Sequence, residues 1–177
     1  MINKLKNLGF DKVAGTSTTD IPFEPSLISL CEMNTCGNYG KNYTCPPLGG
    51  KIPELIEKAR GFRQIIVFQK VFPLEDSFDF EGMMEGQNKF NQLLLDAYDL
   101  CAESLDNFLL LGAGGCGRCE RCGAKDNIPC RFPDKKIPSL ESYGIQVSTL
   151  AKVCGMNYIN GQNTVTYFGG VLTEHSF

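Results

Sequence analysis

Four cysteines, Cys116, Cys119, Cys122 and Cys130, follow one another closely, the first three inside Gly112-Ala113-Gly114-Gly115-Cys116-Gly117-Arg118-Cys119-Glu120-Arg121-Cys122. Cysteines separated by two residues can set their sulfurs at neighbouring corners of one inorganic centre. A third at the same interval continues the wrap, and a remote fourth closes the cage. This C-x2-C-x2-C run with a distant cysteine is the spacing that iron–sulfur clusters use. Glycines on the approach let the chain turn tightly and aim N–H groups at sulfur. The run therefore predicts a [4Fe–4S] cluster. Structural zinc is the alternative, but zinc ligands usually arrive as two separated pairs, and here three crowd together while one stands apart. Arg118, Arg121 and Lys125 lie in the same loop, where cations would offset the negative charge of a thiolate-ligated cluster or simply face solvent.

A second set, Cys31, Cys36 and Cys45, occupies a Gly/Asn/Pro-rich stretch that ends in Cys45-Pro46-Pro47. Three thiols in such a stretch are more than core packing asks for, so they are candidate ligands of a second metal centre or of the first. Seven thiolates fall one short of two fully cysteine-ligated cubes. Cys154 could supply the eighth. Alternatively, one iron is left to water, substrate or a non-thiolate side chain, an open position of the kind Lewis-acid chemistry needs. In a third arrangement Cys130 serves the N-terminal set, which leaves Cys116, Cys119 and Cys122 with the open iron.

The remaining candidates read as structure. Cys101 falls on the apolar face of a helical pattern, and Cys154 sits at a helix end, both suited to packing. His175 is the only histidine and lies next to the C-terminus, where a solvated side chain is expected. One histidine leaves a Ser-His-Asp triad or a histidine-based metal site without material. Gly112-Ala113-Gly114-Gly115 lacks the G-x-G-x-x-G spacing of a dinucleotide loop and leads into cysteines, not a helix.

The chain has 177 residues, a net charge of −3 and nine cysteines. That length buries a substantial core in one domain. No basic tract interleaved with aromatics suggests a nucleic-acid groove. The start has no apolar h-region, and no apolar run reaches membrane-spanning length. A cytoplasmic protein is expected, where thiols stay reduced and nine cysteines ask for metal.

The elements that must position these thiols are legible from periodicity. Asp11 to Phe23 reads as a strand or hairpin. Pro53 opens a short helix that stops at Gly61. Gln64 to Phe72 reads as a central strand. Gly86 to Phe108 is the best helix, with Phe90, Leu94, Ala97, Tyr98, Cys101, Leu105 and Phe108 on one face. Leu109 to Leu111 is a buried strand running into the cysteine loop. Ser139 to Cys154 is helical with a break at Gly144, and Thr164 to Thr173 is a last strand with central glycines. The sum is an α+β sandwich over residues 1–177: one cysteine-rich domain, mostly antiparallel, with helices on one face and two cysteine-rich loops.

Three blocks then carry a resemblance: Asn38-Tyr39-Gly40-Lys41-Asn42-Tyr43-Thr44-Cys45-Pro46-Pro47, Leu111 to Cys122, and Cys130-Arg131-Phe132-Pro133 followed by Pro138-Ser139-Leu140-Glu141-Ser142-Tyr143-Gly144-Ile145-Gln146-Val147. In this order they resemble the predicted metal-binding family known as domain of unknown function 2284. The resemblance runs from about Cys31 to the final strand and implies a cytoplasmic protein with the cysteines as ligands. It supplies no reaction. Its one departure is the Cys31–Cys36 interval, which is wider here.

The functional expectation is an iron–sulfur protein with one [4Fe–4S] cluster and room for a second. It would pass electrons to a redox partner protein or small molecule, or use an open iron on a small substrate. The alternatives are a zinc-stabilised interaction module and a metal or cluster carrier. Neither nucleic acid nor membrane is an expected partner.

Overall fold

The computed structural model describes residues 1–175. Its centre is β2 (Gln64–Pro73), where Ile65, Ile66, Val67 and Phe68 are almost wholly buried. Successive strand side chains point to opposite faces, so Ile65 and Val67 enter one core while Ile66 and Phe68 enter another. A strand buried on both faces reads as a continuous apolar run, which is what the sequence shows here.

β1 (Lys12–Ser17) pairs with one edge of β2, setting Val13 opposite Phe68. β4 (Thr164–Thr173) pairs with the other edge, setting Leu172 opposite Ile65. β3 (Phe108–Leu111) completes the sheet against β4, with Leu110 opposite Val171. The order is β1-β2-β4-β3 and every pairing is antiparallel. Gly169 of β4 sits against the Phe68 ring, and a Cβ there would lie 2.8 Å from the Leu111 carbonyl oxygen. The glycine permits a close approach that no side chain would allow.

Helices cover both faces of this sheet, which corrects the one-face arrangement expected from the element order. Ala59 of α3 (Ile52–Arg60) and Leu150 and Ala151 of α5 (Val147–Val153) pack with Ile65, Val67 and Leu172. On the opposite face, Leu5 of α1 (Ile2–Asn7) joins Phe90, Leu94, Ala97 and Cys101 of α4 (Phe80–Ser104) against Ile66 and Phe68. Phe10 packs tilted with its ring centroid 4.2 Å from that of Phe68 and meets Phe90 edge-on at 6.1 Å. Burying a side chain of this size contributes about 1.5–3 kcal/mol.

The long helix differs from the expected Gly86–Phe108 at both ends. It begins at Phe80 because the Asp79 carboxylate accepts from the Gly82 N–H at 2.8 Å, an N-cap. It ends at Ser104, and Leu105 turns extended at φ −133°. Phe108 belongs to β3. The N-terminal region gives one strand, β1, whose partner is β2 and not a local hairpin. The break at Gly144 is present: it holds φ +67° between a 3-10 turn, Glu141–Tyr143, and α5. No helix among the described residues is long and apolar enough to cross a membrane.

Candidate metal centre

The C-terminal cysteines leave the sheet directly from β3. Gly112 is fixed on the neighbouring segment, donating to Pro138 O at 2.8 Å and accepting from the Leu140 N–H at 3.0 Å. The loop then runs beside α4, where Gln87 donates to the Ala113 carbonyl at 3.2 Å and to Asn91 at 3.3 Å. Beyond Gly112 no helix or strand constrains the chain until the 3-10 turn Gly123–Asp126. Within this stretch Cys116, Cys119, Cys122 and Cys130 line one cavity of about 20 Å³, together with Thr44, Arg118 and Lys136.

Arg118 is the best-held cation of that cavity. Its Nε donates to Lys135 O at 2.6 Å, and the guanidinium lies 4.5 Å over the Tyr98 ring of α4. Its Nη2 is buried and has no hydrogen-bond partner among the described residues. An orphaned donor of this kind costs about 1–3 kcal/mol unless something accepts from it. Arg121 takes a different role: it forms a two-bonded pair with Asp126, both contacts at 2.7 Å, on the surface.

The N-terminal set faces a second cavity. α2 (Ile28–Glu32) carries Cys31, and the irregular chain that follows carries Cys36 and Cys45. All three thiols line a space of about 410 Å³ with Leu27, Leu30, Met33, Tyr39 and Glu141. Cys45 is the most buried of the three. Burial pushes its thiol up to about 11, opposed by the Thr44 hydroxyl, with the charges of Cys36, Cys31 and Cys122 adding to the rise. The Cys31 thiol is raised by burial first, then by the charges of Cys36, Glu141 and Glu32.

The two cavities stand back to back across a hydrogen-bonded seam. Thr44 faces the C-terminal cavity and its neighbour Cys45 faces the N-terminal one. The Thr44 hydroxyl accepts from the Cys116 N–H at 3.1 Å and donates to Asn42 Oδ1 at 2.9 Å, while Asn42 Nδ2 donates to Cys116 O at 3.4 Å. Tyr43 adds a bond to Ile128 O at 2.9 Å. Gly115 makes the close fit possible, since a Cβ there would lie 2.7 Å from Asn42 Nδ2.

A family model for predicted metal-binding proteins (DUF2284) matches residues 16–173. The chain belongs to that family. The matched span includes every cysteine of both cavities. No curated protein and no solved structure matches the chain. Metal binding is what this family predicts, and the donor set of both cavities suits it. Among the described residues, no three His, Cys, Asp or Glu side chains converge as they would around a single ion.

The structure brings Cys130 to the same cavity as Cys116, Cys119 and Cys122 and not to the N-terminal set. Cys154 lies in neither cavity and packs against the core of α3 and α5, with burial raising its thiol to about 11. Cys101 is fully buried on α4. His175 is exposed.

Sequence reasoning missed three features of these sites. Asn42 and Thr44 are polar yet only 4% exposed, and their partners lie more than seventy residues away. Glu141 is the third. It is exposed as a residue, yet surrounding protein raises its carboxyl, with desolvation the largest cause and its own N–H and Ser139 opposing. The two facts reconcile in a groove that is open on one side and dense on the others, and the exposure is the better guide to access. Its only sequence signal was membership of the Pro138–Val147 block.

Proposed function

We propose that this chain is an iron–sulfur protein of the predicted metal-binding family, with a [4Fe–4S] cluster on Cys116, Cys119, Cys122 and Cys130 and a redox role toward a partner protein or small molecule. One observation supports the reading: all four cysteines of the C-x2-C-x2-C…C run line one cavity together with Arg118, whose Nη2 is buried and unpartnered among the described residues. Four thiolates give a bound cluster net negative charge, and a fixed guanidinium is the complement such a charge needs. The cluster supplies one-electron chemistry when bound. The chain's part is to hold it and set its potential. Arg118 offers a donor pinned by Lys135 and Tyr98. The Thr44 hydroxyl ties down the Cys116 N–H. The irregular stretch after Gly112 contains no helix or strand that admitting an inorganic core would have to break.

Zinc is the second reading, favoured by the size of the cavity. About 20 Å³ is room for a water or one ion, and a cube requires the loop to widen. Anaerobic purification followed by iron, acid-labile sulfide and zinc analysis separates the two. Iron and sulfide in equal amounts, with broad absorption near 400 nm, are expected, and Cys119→Ser should lose or convert that absorption. A colourless protein holding zinc without sulfide refutes the iron–sulfur reading.

A further inference from the structure

The N-terminal cavity has a property that the C-terminal one lacks. It is far larger, about 410 Å³ against about 20 Å³, which is within the range of small-molecule sites. Its walls have two characters. Cys31, Cys36 and Cys45 supply sulfur, while Leu27, Leu30 and Met33 supply an apolar surface. Leu30 and Met33 are 55% and 66% exposed, so this surface is open to solvent.

A single carboxyl side chain shares the space: Glu141. Its position is set by elements outside the loop that carries the three thiols. Ser139 bridges to Gly112 in parallel, Leu140 donates to Gly112 O, and the Ser142 hydroxyl donates to Ser139 O at 2.7 Å. Glu141 is thus anchored to the end of β3, opposite the segment 31–45. Three thiolates leave one corner of a cube without a cysteine. Cys154, the remaining cysteine candidate for it, is partly buried against the core of α3 and α5 and outside this cavity, and Cys130 faces the other cavity.

We propose that Cys31, Cys36, Cys45 and Glu141 form a second iron–sulfur site, in which three thiolates hold the cluster and Glu141 is an exchangeable fourth ligand beside a pocket for a small iron-binding molecule. The proposal rests on the iron–sulfur reading of the chain. A carboxylate is a harder and more weakly held ligand than thiolate at such a centre, so it can yield its position to an incoming oxygen or nitrogen donor. The wall of Leu27, Leu30 and Met33 takes the apolar body of that molecule. Of the three ways to complete the N-terminal set, a non-thiolate side chain is the one whose candidate lies in the cavity.

The test uses the full chain, purified anaerobically and reconstituted with iron and sulfide, with cyanide as the probe. Cys45→Ala should lower iron by one cluster's worth while the C-terminal centre persists, and Cys45→Ser, closer in size, serves if the alanine variant does not fold. Glu141→Gln should keep the iron, alter the electron paramagnetic resonance of the N-terminal centre and bind cyanide about tenfold more tightly. Glu141→Cys should keep the iron and lose the cyanide response. Unchanged resonance and cyanide binding in both Glu141 variants, with Cys45→Ala still losing iron, overturn the role of Glu141. Unchanged iron in the Cys45 variants overturns the second site and leaves the C-terminal cluster standing. Wild-type protein without sulfide removes both readings at once.

Discussion

Thr44→Val isolates the seam between the two cysteine segments. Valine matches threonine in shape, so it removes one hydroxyl and opens no cavity. The Cys116 N–H loses its acceptor at 3.1 Å, and Asn42 Oδ1 loses a donor at 2.9 Å but keeps the Thr44 N–H at 3.1 Å. An unpaired, partly buried N–H costs about 1–3 kcal/mol, and a lost neutral hydrogen bond about 1 kcal/mol. The sum is about 2–4 kcal/mol. Thr44→Ser keeps both bonds and loses one methyl, about 1 kcal/mol at this buried site. Urea unfolding at matched metal content should therefore place the valine variant about 1–3 kcal/mol below the serine variant. Hydrogen exchange adds a local readout: the Cys116 amide should lose roughly tenfold or more in protection in Thr44→Val and little in Thr44→Ser. A valine variant as stable as the serine variant, with Cys116 protection unchanged, refutes the claim that this hydroxyl holds the two segments together.

Cys101→Ala should cost on the order of 1 kcal/mol with metal content unchanged, since the residue is fully buried packing on α4; lost metal would make it a ligand. Burial raises the Cys101 thiol from its ordinary 9.0 to about 12, so above pH 9 the unfolded chain sheds this proton first and stability falls until about pH 12. In Cys101→Ala, urea titrations across that window should show a shallower fall, by up to about 1.4 kcal/mol per pH unit; an equal slope rejects the burial. Gly169→Ala forces a methyl against Phe68 and to 2.8 Å from Leu111 O, which should cost about 1–3 kcal/mol in thermal or urea unfolding. In the iron-loaded protein, Arg118→Gln should lower the reduction potential, by about 60 mV for each 1.4 kcal/mol of lost hydrogen bonding to the reduced centre; an unchanged potential shows that Nη2 serves another acceptor.

Local pattern made much of the fold legible. Ile65 to Phe68 announced a doubly buried strand, Pro53 and Gly61 bracketed α3, and Gly144 broke the segment before α5, because each signal lies within a few residues of its effect. The long helix shows where such signals mislead. Leu105 and Phe108 continue its apolar spacing and pack against the same core as Cys101, yet Phe108 does so from β3. Periodicity reports which core a residue enters, not which element carries it. At the other end Phe80 and Met84 are exposed, so no buried stripe marked the first turns, and only the Asp79 cap did. Helices on both faces and β4 inserted between β2 and β3 are both long-range arrangements without a local signature. The sites divide in the same way. The cysteine spacing was visible, whereas the Thr44–Cys116 bond, the orphaned Arg118 Nη2 and the place of Glu141 depend on segments far apart in sequence.

The seam also ties the chemistry of one cavity to that of the other. Thr44 and Cys45 are adjacent in the chain and face opposite sides, and the charge of Cys122 is felt at Cys45. Cavities separated by a buried hydrogen-bonded layer are poorly screened from each other, because buried charges are shielded far less than exposed ones. On the iron–sulfur reading, a change of charge at one centre would shift the potential or ligand affinity of the other, reciprocally by linkage. On the proposed iron–sulfur reading the two cavities have distinct tasks. The C-terminal cavity is tight, closed by four thiols and backed by a pinned guanidinium, an arrangement suited to storing an electron. The N-terminal cavity is wide, lined on one side by apolar residues and includes a carboxylate, an arrangement suited to meeting a molecule. The short path through Thr44 and Cys116 joins them.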